Sequence, residues 1–256
     1  QGRPAEAAGD LTRCLAADPE SPGIAAELLS ALLAAGDLNA AESVLDLVDA
    51  LIGFAERYRA VPMVGRTHMQ PAMPSSVGLW AGAWAEELLV DAGLLEHALS
   101  VVDRSPLGSA ASYGTSLPLN REMVAELLAF RGLLSNVLWA NNSRGKIESI
   151  ILDSLDQVGL TLSKMAQDLI IFSLPEFGYF SLPDELCTGS SIMPQKRNPD
   201  GLELIRGKAA SLSGYAQQVK NIVRSLPSGY NRDFQETKAP LFRGMDTALA
   251  STRVMT

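Results

Sequence analysis

A chain of 256 residues with 47% hydrophobic and 20% charged side chains has the material for a substantial core and belongs among folded soluble proteins. Its net charge of -8, with no cluster of Lys and Arg, argues against non-specific nucleic-acid binding, which needs grouped cations to neutralise phosphates. The two cysteines, Cys14 and Cys187, stand far apart without metal-ligand spacing, so neither a disulfide framework nor a zinc site is expected, and a reducing cytoplasm is the expected compartment.

Residues 1–38, rich in Ala, Leu, Gly and Pro, predict short helices such as Ile24 to Ala35. From about Asn39 to Arg59, Val44, Leu47, Val48, Leu51, Phe54, Ala55 and Tyr58 recur at helical steps, and Pro62 ends the run. A loop carrying Thr67-His68-Met69-Gln70 follows, then a helix from about Ser75 to Val102 whose Trp80 and Trp84 read as core. Ser105 to Pro118 is a glycine- and serine-rich loop, and Leu119 to Phe130 predicts a short helix. Between Lys146 and Ser173, Ile147, Ile151, Leu155, Val158, Leu162, Met165, Leu169 and Phe172 recur at mostly alternating four- and three-residue steps. That is close to a heptad seam, the pattern of long helices packed nearly parallel or antiparallel in a bundle. Leu160, Ile170 and Ile171 lie off the seam, so this helix is expected to be buried within a bundle or between subunits. A further long helix is predicted from Pro199 to Val223, and another helical pattern follows the Arg224–Arg232 loop. Convincing β alternation, a membrane-length apolar run and a signal-peptide pattern are all missing. The expected fold is all-α, with long antiparallel helices and the unusual polar residues held in the loops.

Three loops carry the candidate chemistry. Thr188 to Asp200 combines flexible Gly-Ser-Ser, a lysine, an asparagine and a helix start, with Asn198 read as N-cap and Pro199 at the first helical position. Serine, lysine and asparagine ahead of a helix N-terminus suit a bound carboxylate, although the same residues also read as an ordinary capped surface loop. His68 sits in the second loop and reads by itself as a residue that caps a helix or satisfies a local backbone group; the third loop runs from Leu226 to Lys238. His97, beside Glu96 within a helix, reads as solvated or partner-facing. No phosphate loop, zinc-ligand pair or nucleophile elbow occurs.

Thr188 to Asp200 resembles the Gly-Ser-Ser-x-x-Met-Pro-x-Lys-x-Asn-Pro signature of the fumarase/aspartase superfamily of lyases. Within it the chain most resembles the argininosuccinate lyase family, through Pro175-Glu176-Phe177-Gly178, Glu203 to Lys208 and Tyr230 to Lys238. Thr67-His68-Met69-Gln70, Ser105 to Gly108 and Leu117 to Arg121 match further elements, so the likeness covers roughly residues 40–256. The resemblance implies β-elimination of argininosuccinate to arginine and fumarate, in arginine biosynthesis, with no cofactor and no metal. It also implies a homotetramer whose long helices form a central core and whose active sites are shared between subunits, with no nucleic-acid or membrane partner.

Carried over by position, the resemblance makes Ser190 the base, His68 the general acid with Glu203 as its carboxylate partner, and Lys196 and Asn198 the holders of the reacting carboxylate. Thr67 and Gln70 fall to substrate contacts, Tyr230, Gln235 and Lys238 to the arginine portion, and Arg144 matches the family's arginine. A serine serves as a base only when its alkoxide is stabilised, so preorganised donors and cations are expected to dominate catalysis.

Some positions depart from the family. Asn141-Asn142-Ser143-Arg144-Gly145 replaces the commoner Ser-Asp-Arg-Asp run, and Pro71 follows Gln70 unusually. Residues 1–60 hold neither the family's histidine-bearing helix nor its Ser-Arg-Asn-Asp-Gln element. The expected organisation is a remnant of the N-terminal helical region over 1–38 and a central lyase domain over 39–256, without the small C-terminal domain, as segments of a longer protein. Two alternatives accompany this reading: a sister lyase acting on adenylosuccinate or a related succinyl-amine, and a non-catalytic structural homologue of the crystallin kind.

Overall fold

The computed structural model describes the backbone from Pro22 to Thr256 and side chains from Asn39 onward, so residues before Pro22, Cys14 included, lie outside the described residues. Helix α1 spans Pro22–Arg57. The short helices expected before Leu38 and the separate helix from Asn39 are thus one continuous element. Gly36 does not interrupt it, because a glycine costs a helix only about 1 kcal/mol, less than the downstream apolar stripe recovers.

The segment expected as a plain loop is a two-stranded antiparallel ribbon, β1 (Pro62–Thr67) with β2 (Gln70–Ser76), paired from Pro62 opposite Ser76 to Thr67 opposite Gln70. A register shift falls between Gly65 and Arg66. Three prolines hid the ribbon from a propensity reading, since proline cannot donate to a ladder and is tolerated only where no partner needs its N–H. His68 and Met69 form the turn, both with positive φ (52° and 64°), the two-residue geometry that matches strand twist.

Helix α2 (Val77–Val102) starts beyond the Ser76 hydroxyl, which accepts the Leu79 N–H at 3.1 Å. Helix α3 (Arg121–Leu127) is shorter than the Leu119–Phe130 reading. Asn120 caps its start, and at its end the N–H groups of Ala129 and Phe130 turn back to the carbonyls of Glu126 and Ala125, with Ala129 at φ 58°. Helix α4 (Val137–Asn142), capped by Asn136, was not anticipated because it spans fewer than two turns. Helix α5 (Lys146–Phe172) carries the expected seam, α6 spans Asp200–Val223, and α7 spans Lys238–Met255.

The chain forms two compact units. One comprises Glu42–Gly93, Leu155–Ser213 and Asp246–Thr256. Its core takes Val44, Leu47 and Leu51 from α1, Leu88 from α2, Leu155, Leu162 and Met165 from α5, and Leu202 and Leu212 from α6, all buried. Here α2 and α5 run antiparallel: Trp80 Nε1 donates to Asp168 at 2.9 Å, Lys164 to Glu87 at 2.7 Å, and Thr161 to Asp91 at 2.6 Å, in opposite chain order. A Cβ on Gly159 would lie 2.7 Å from Leu212 Cδ1, so the missing side chain permits the close approach of α5 and α6. Seam positions Leu155, Val158, Leu162 and Met165 are buried, whereas off-seam Leu160 is 53% exposed.

The other unit comprises Leu94–Ser154, Gly214–Met245 and α1 as far as Ala41. Leu95, Leu134, Ile151, Leu152, Val219, Phe234 and Leu241 are buried in it. Arg121 organises its long loop by donating to three carbonyls, of Leu107, Leu134 and Ser135. Among the described residues no helix is long and apolar enough to cross a membrane.

Candidate active site

In the unit that begins at Glu42, the ribbon presents Thr67, His68 and Gln70 at its exposed tip, so the imidazole is displayed rather than packed. Arg66 fastens the base of that turn. Its Nη1 donates to the Met69 carbonyl at 3.1 Å, its Nε to the Tyr179 hydroxyl at 3.3 Å, and its guanidinium lies over Phe177 at 4.5 Å. The Pro175 to Gly178 run thus braces the histidine turn.

The Ser190 loop is closed by a short ladder, β3 (Thr188–Gly189) with β4 (Arg197–Asn198). Below it the Thr188 hydroxyl meets Asp200 at 2.5 Å, and Arg197 pairs with Asp184. Within the loop, Ser190 Oγ accepts two backbone N–H groups, from Met193 at 3.1 Å and Ile192 at 3.3 Å. Both donors would also stabilise an alkoxide at that oxygen. Lys196 is exposed, its backbone N–H turned to the Met193 carbonyl at 3.0 Å.

The reading of Asn198 as N-cap is corrected. Asn198 is a strand residue opposite Thr188, and the Pro199 carbonyl accepts the first helical bond, from Glu203 at 3.0 Å. Pro199 therefore holds the cap position, because strand pairing draws Asn198 out of the helix entry. Glu203 is exposed on the first turn of α6, and no hydrogen bond or ion pair joins it to His68 within the chain. Both side chains are exposed, and the expected Glu–His pair is not made within this chain.

In the unit that contains Leu94–Ser154, four candidate residues converge. The Arg144 guanidinium lies over the rings of Tyr230 (5.5 Å) and Phe234 (5.1 Å), and Gln235 donates to the Tyr230 hydroxyl at 3.3 Å. Burial, then the neighbouring Arg144, pushes the Lys238 amine below its ordinary value, against the pull of Tyr230 and Glu148. Burial likewise lowers Arg144, with Glu148 and Tyr230 opposing.

Glu148 was missed by the sequence reading. It is 3% exposed, accepts the Gly145 N–H at 2.5 Å and the Thr237 hydroxyl at 3.4 Å, and desolvation raises its pKa despite those bonds and Arg144. Its place four residues after Arg144, a helical ion-pair spacing, was the available signal. Ser112 was missed as well. It is buried with φ 97° and accepts the Tyr230 N–H at 2.6 Å, while Asn142 accepts the Gly229 N–H at 2.9 Å. No local pattern announces a bond between residues so far apart in the chain.

Chemically, the first unit offers an exposed imidazole, a serine oxygen with two donors and an exposed lysine. The second offers two partly desolvated cations, Arg144 over two aromatic faces and Lys238 near it, an arrangement suited to a carboxylate.

A family model described as lyase matches residues 31–214. Argininosuccinate lyase of Parabacteroides distasonis is 46% identical over 215 residues, covering 84% of this chain and 48% of the relative. The chain spans about half the length of the curated relatives it matches. Among solved structures, EDDS lyase in complex with formate matches with a TM-score of 0.77 at 25% identity, over 91% of this chain and 46% of that one. Class II fumarase from Schistosoma mansoni shares the fold, with a TM-score of 0.78 at 19% identity over 89% of this chain and 53% of its own. With the family model spanning well over half of its residues, the chain belongs to the lyase family of the fumarase/aspartase superfamily.

Proposed function

We propose that the protein is an argininosuccinate lyase, cleaving argininosuccinate to arginine and fumarate. The single observation that carries the mechanism is the pair of backbone N–H groups on Ser190 Oγ. A neutral serine is a weak base, and two fixed donors lower the cost of its alkoxide, which takes the proton from the carbon beside a carboxylate. The carbanion's charge spreads into that carboxylate, where Lys196 and Asn198 supply compensating charge and a hydrogen bond. The electron pair then forms the fumarate double bond as the carbon–nitrogen bond breaks, and His68 protonates the departing guanidino nitrogen.

Arg144 and Lys238 bind the carboxylate of the arginine portion, with Tyr230 and Gln235 bordering it and Thr67 and Gln70 contacting the succinyl portion. Glu203 serves His68 from another subunit, in a homotetramer with shared active sites. The exposure of His68 and Glu203 in a single chain is what such sharing requires. The domain proposal remains a central lyase domain over 39–256 preceded by an N-terminal helical remnant.

The test is fumarate absorbance on adding argininosuccinate to the protein, with adenylosuccinate in parallel. Fumarate from argininosuccinate, abolished in Ser190→Ala, is the expected result. No fumarate from an intact tetramer would overturn the proposal, and full activity in Ser190→Ala would overturn the assignment of the base.

A further inference from the structure

A cavity of about 470 Å³ lies where the start of α5 meets the end of α6, within the unit that contains Leu94–Ser154. Its wall carries Arg144, Lys146, Lys220 and Arg224, together with the hydroxyls of Ser149 and Ser228. We propose that this cavity is a second ligand site, separate from the elimination chemistry, that takes a small multiply charged anion of the phosphate or polycarboxylate type.

The charge arrangement carries the inference. Lys220 holds Asp153 at 2.5 Å, and Arg144 faces buried Glu148. Lys146 and Arg224 hold no carboxylate among the described residues. Two cations thus remain uncompensated in one concave site, on a chain whose net charge is -8. Arg224 follows α6 directly and its N–H reaches the Lys220 carbonyl at 3.1 Å, so the two like charges sit one turn apart, an unfavourable spacing. A bound anion reverses that cost, because each cation then gains a charge-assisted hydrogen bond.

The hydroxyls are placed to share the load. Ser228 Oγ accepts from the Asn142 amide at 3.4 Å, which leaves its own O–H free to donate. The volume exceeds what one phosphate group needs and falls in the small-molecule range of about 300–1,000 Å³, so it has room for a ligand with two anionic groups. Arg144 and Phe234 are common to this cavity and the Tyr230–Lys238 cluster, whereas Lys146, Lys220, Arg224 and both serines belong to the cavity alone.

The test is calorimetric titration of the whole protein with pyrophosphate and, separately, citrate, at two salt concentrations. Saturable binding that weakens with salt is expected. Lys146→Gln with Arg224→Gln is expected to weaken it about tenfold or more, with fumarate release unchanged. The tighter of the two probes assigns the phosphoryl or the polycarboxylate class. Should the double variant melt early, either single variant weakening binding about threefold supports the site equally. Absence of saturable binding by both probes, or binding indifferent to the substitutions, overturns the proposal. Neither result depends on turnover, so failure of the lyase reading would be seen separately, in the fumarate assay alone.

Discussion

Glu148 accepts the Gly145 N–H at 2.5 Å, closing a buried turn at the head of α5 directly after Arg144. The Thr237 hydroxyl reaches the same carboxylate at 3.4 Å, and Lys238 opens α7 immediately afterwards. One buried acid therefore ties the start of α5, just after Arg144, to the turn that leads into α7 at Lys238.

That acid makes stability depend on pH. Desolvation raises the folded-state pKa of Glu148 above its ordinary 4.5, so the folded form binds the proton more tightly than the unfolded one. Its contribution is most favourable below the ordinary value and is lost as pH rises through the elevated folded value. Glu148→Gln should flatten the fall in stability across that window, measured as the difference between wild-type and variant urea midpoints over a pH series. An unchanged slope would mean that the carboxylate titrates normally.

Gly145 is required by its backbone and its surroundings together. Its φ is 77°, and an added Cβ would lie 2.1 Å from Val223 Cγ1. Gly145→Ala should destabilise the protein by about 2–4 kcal/mol, read from denaturant unfolding.

Asp91 is 5% exposed and takes its 2.6 Å hydrogen bond from Thr161. Burial raises its pKa and the threonine bond lowers it. Thr161→Val removes the donor and should cost about 1–3 kcal/mol. The loss should be greater at a pH above the raised folded-state pKa, where the carboxylate is charged, than at a pH below it, where a protonated Asp91 no longer needs that donor. Equal losses at both pH values would contradict this account.

His68 stands exposed at a turn with positive φ, a conformation that asparagine also tolerates. His68→Asn should therefore keep the thermal midpoint while lowering kcat for fumarate release about 10²–10⁴-fold, the usual worth of a general acid. A variant that folds and keeps its rate would remove His68 from the mechanism.

Local repetition was enough to identify the long helices and the polar loops. The seam from Ile147 to Phe172 needs only helical periodicity, and its central members are buried as that periodicity demands. Thr67 to Gln70, Ser190 to Asn198 and Tyr230 to Lys238 stood out because serine, lysine, histidine and asparagine gather there between apolar runs. Where strand pairing competed with helix capping, the local reading erred, as at Asn198 and in the proline-bearing ribbon. Tertiary structure alone decided that Ser112 would receive Tyr230, that Glu148 would lie buried against Thr237, and that Lys146 would share a cavity with Arg224. Those partners are separated by long stretches of chain, so no repeating pattern records them. Their meeting depends on how whole helices pack, and burial then sets the charge and hydrogen bonding of each group.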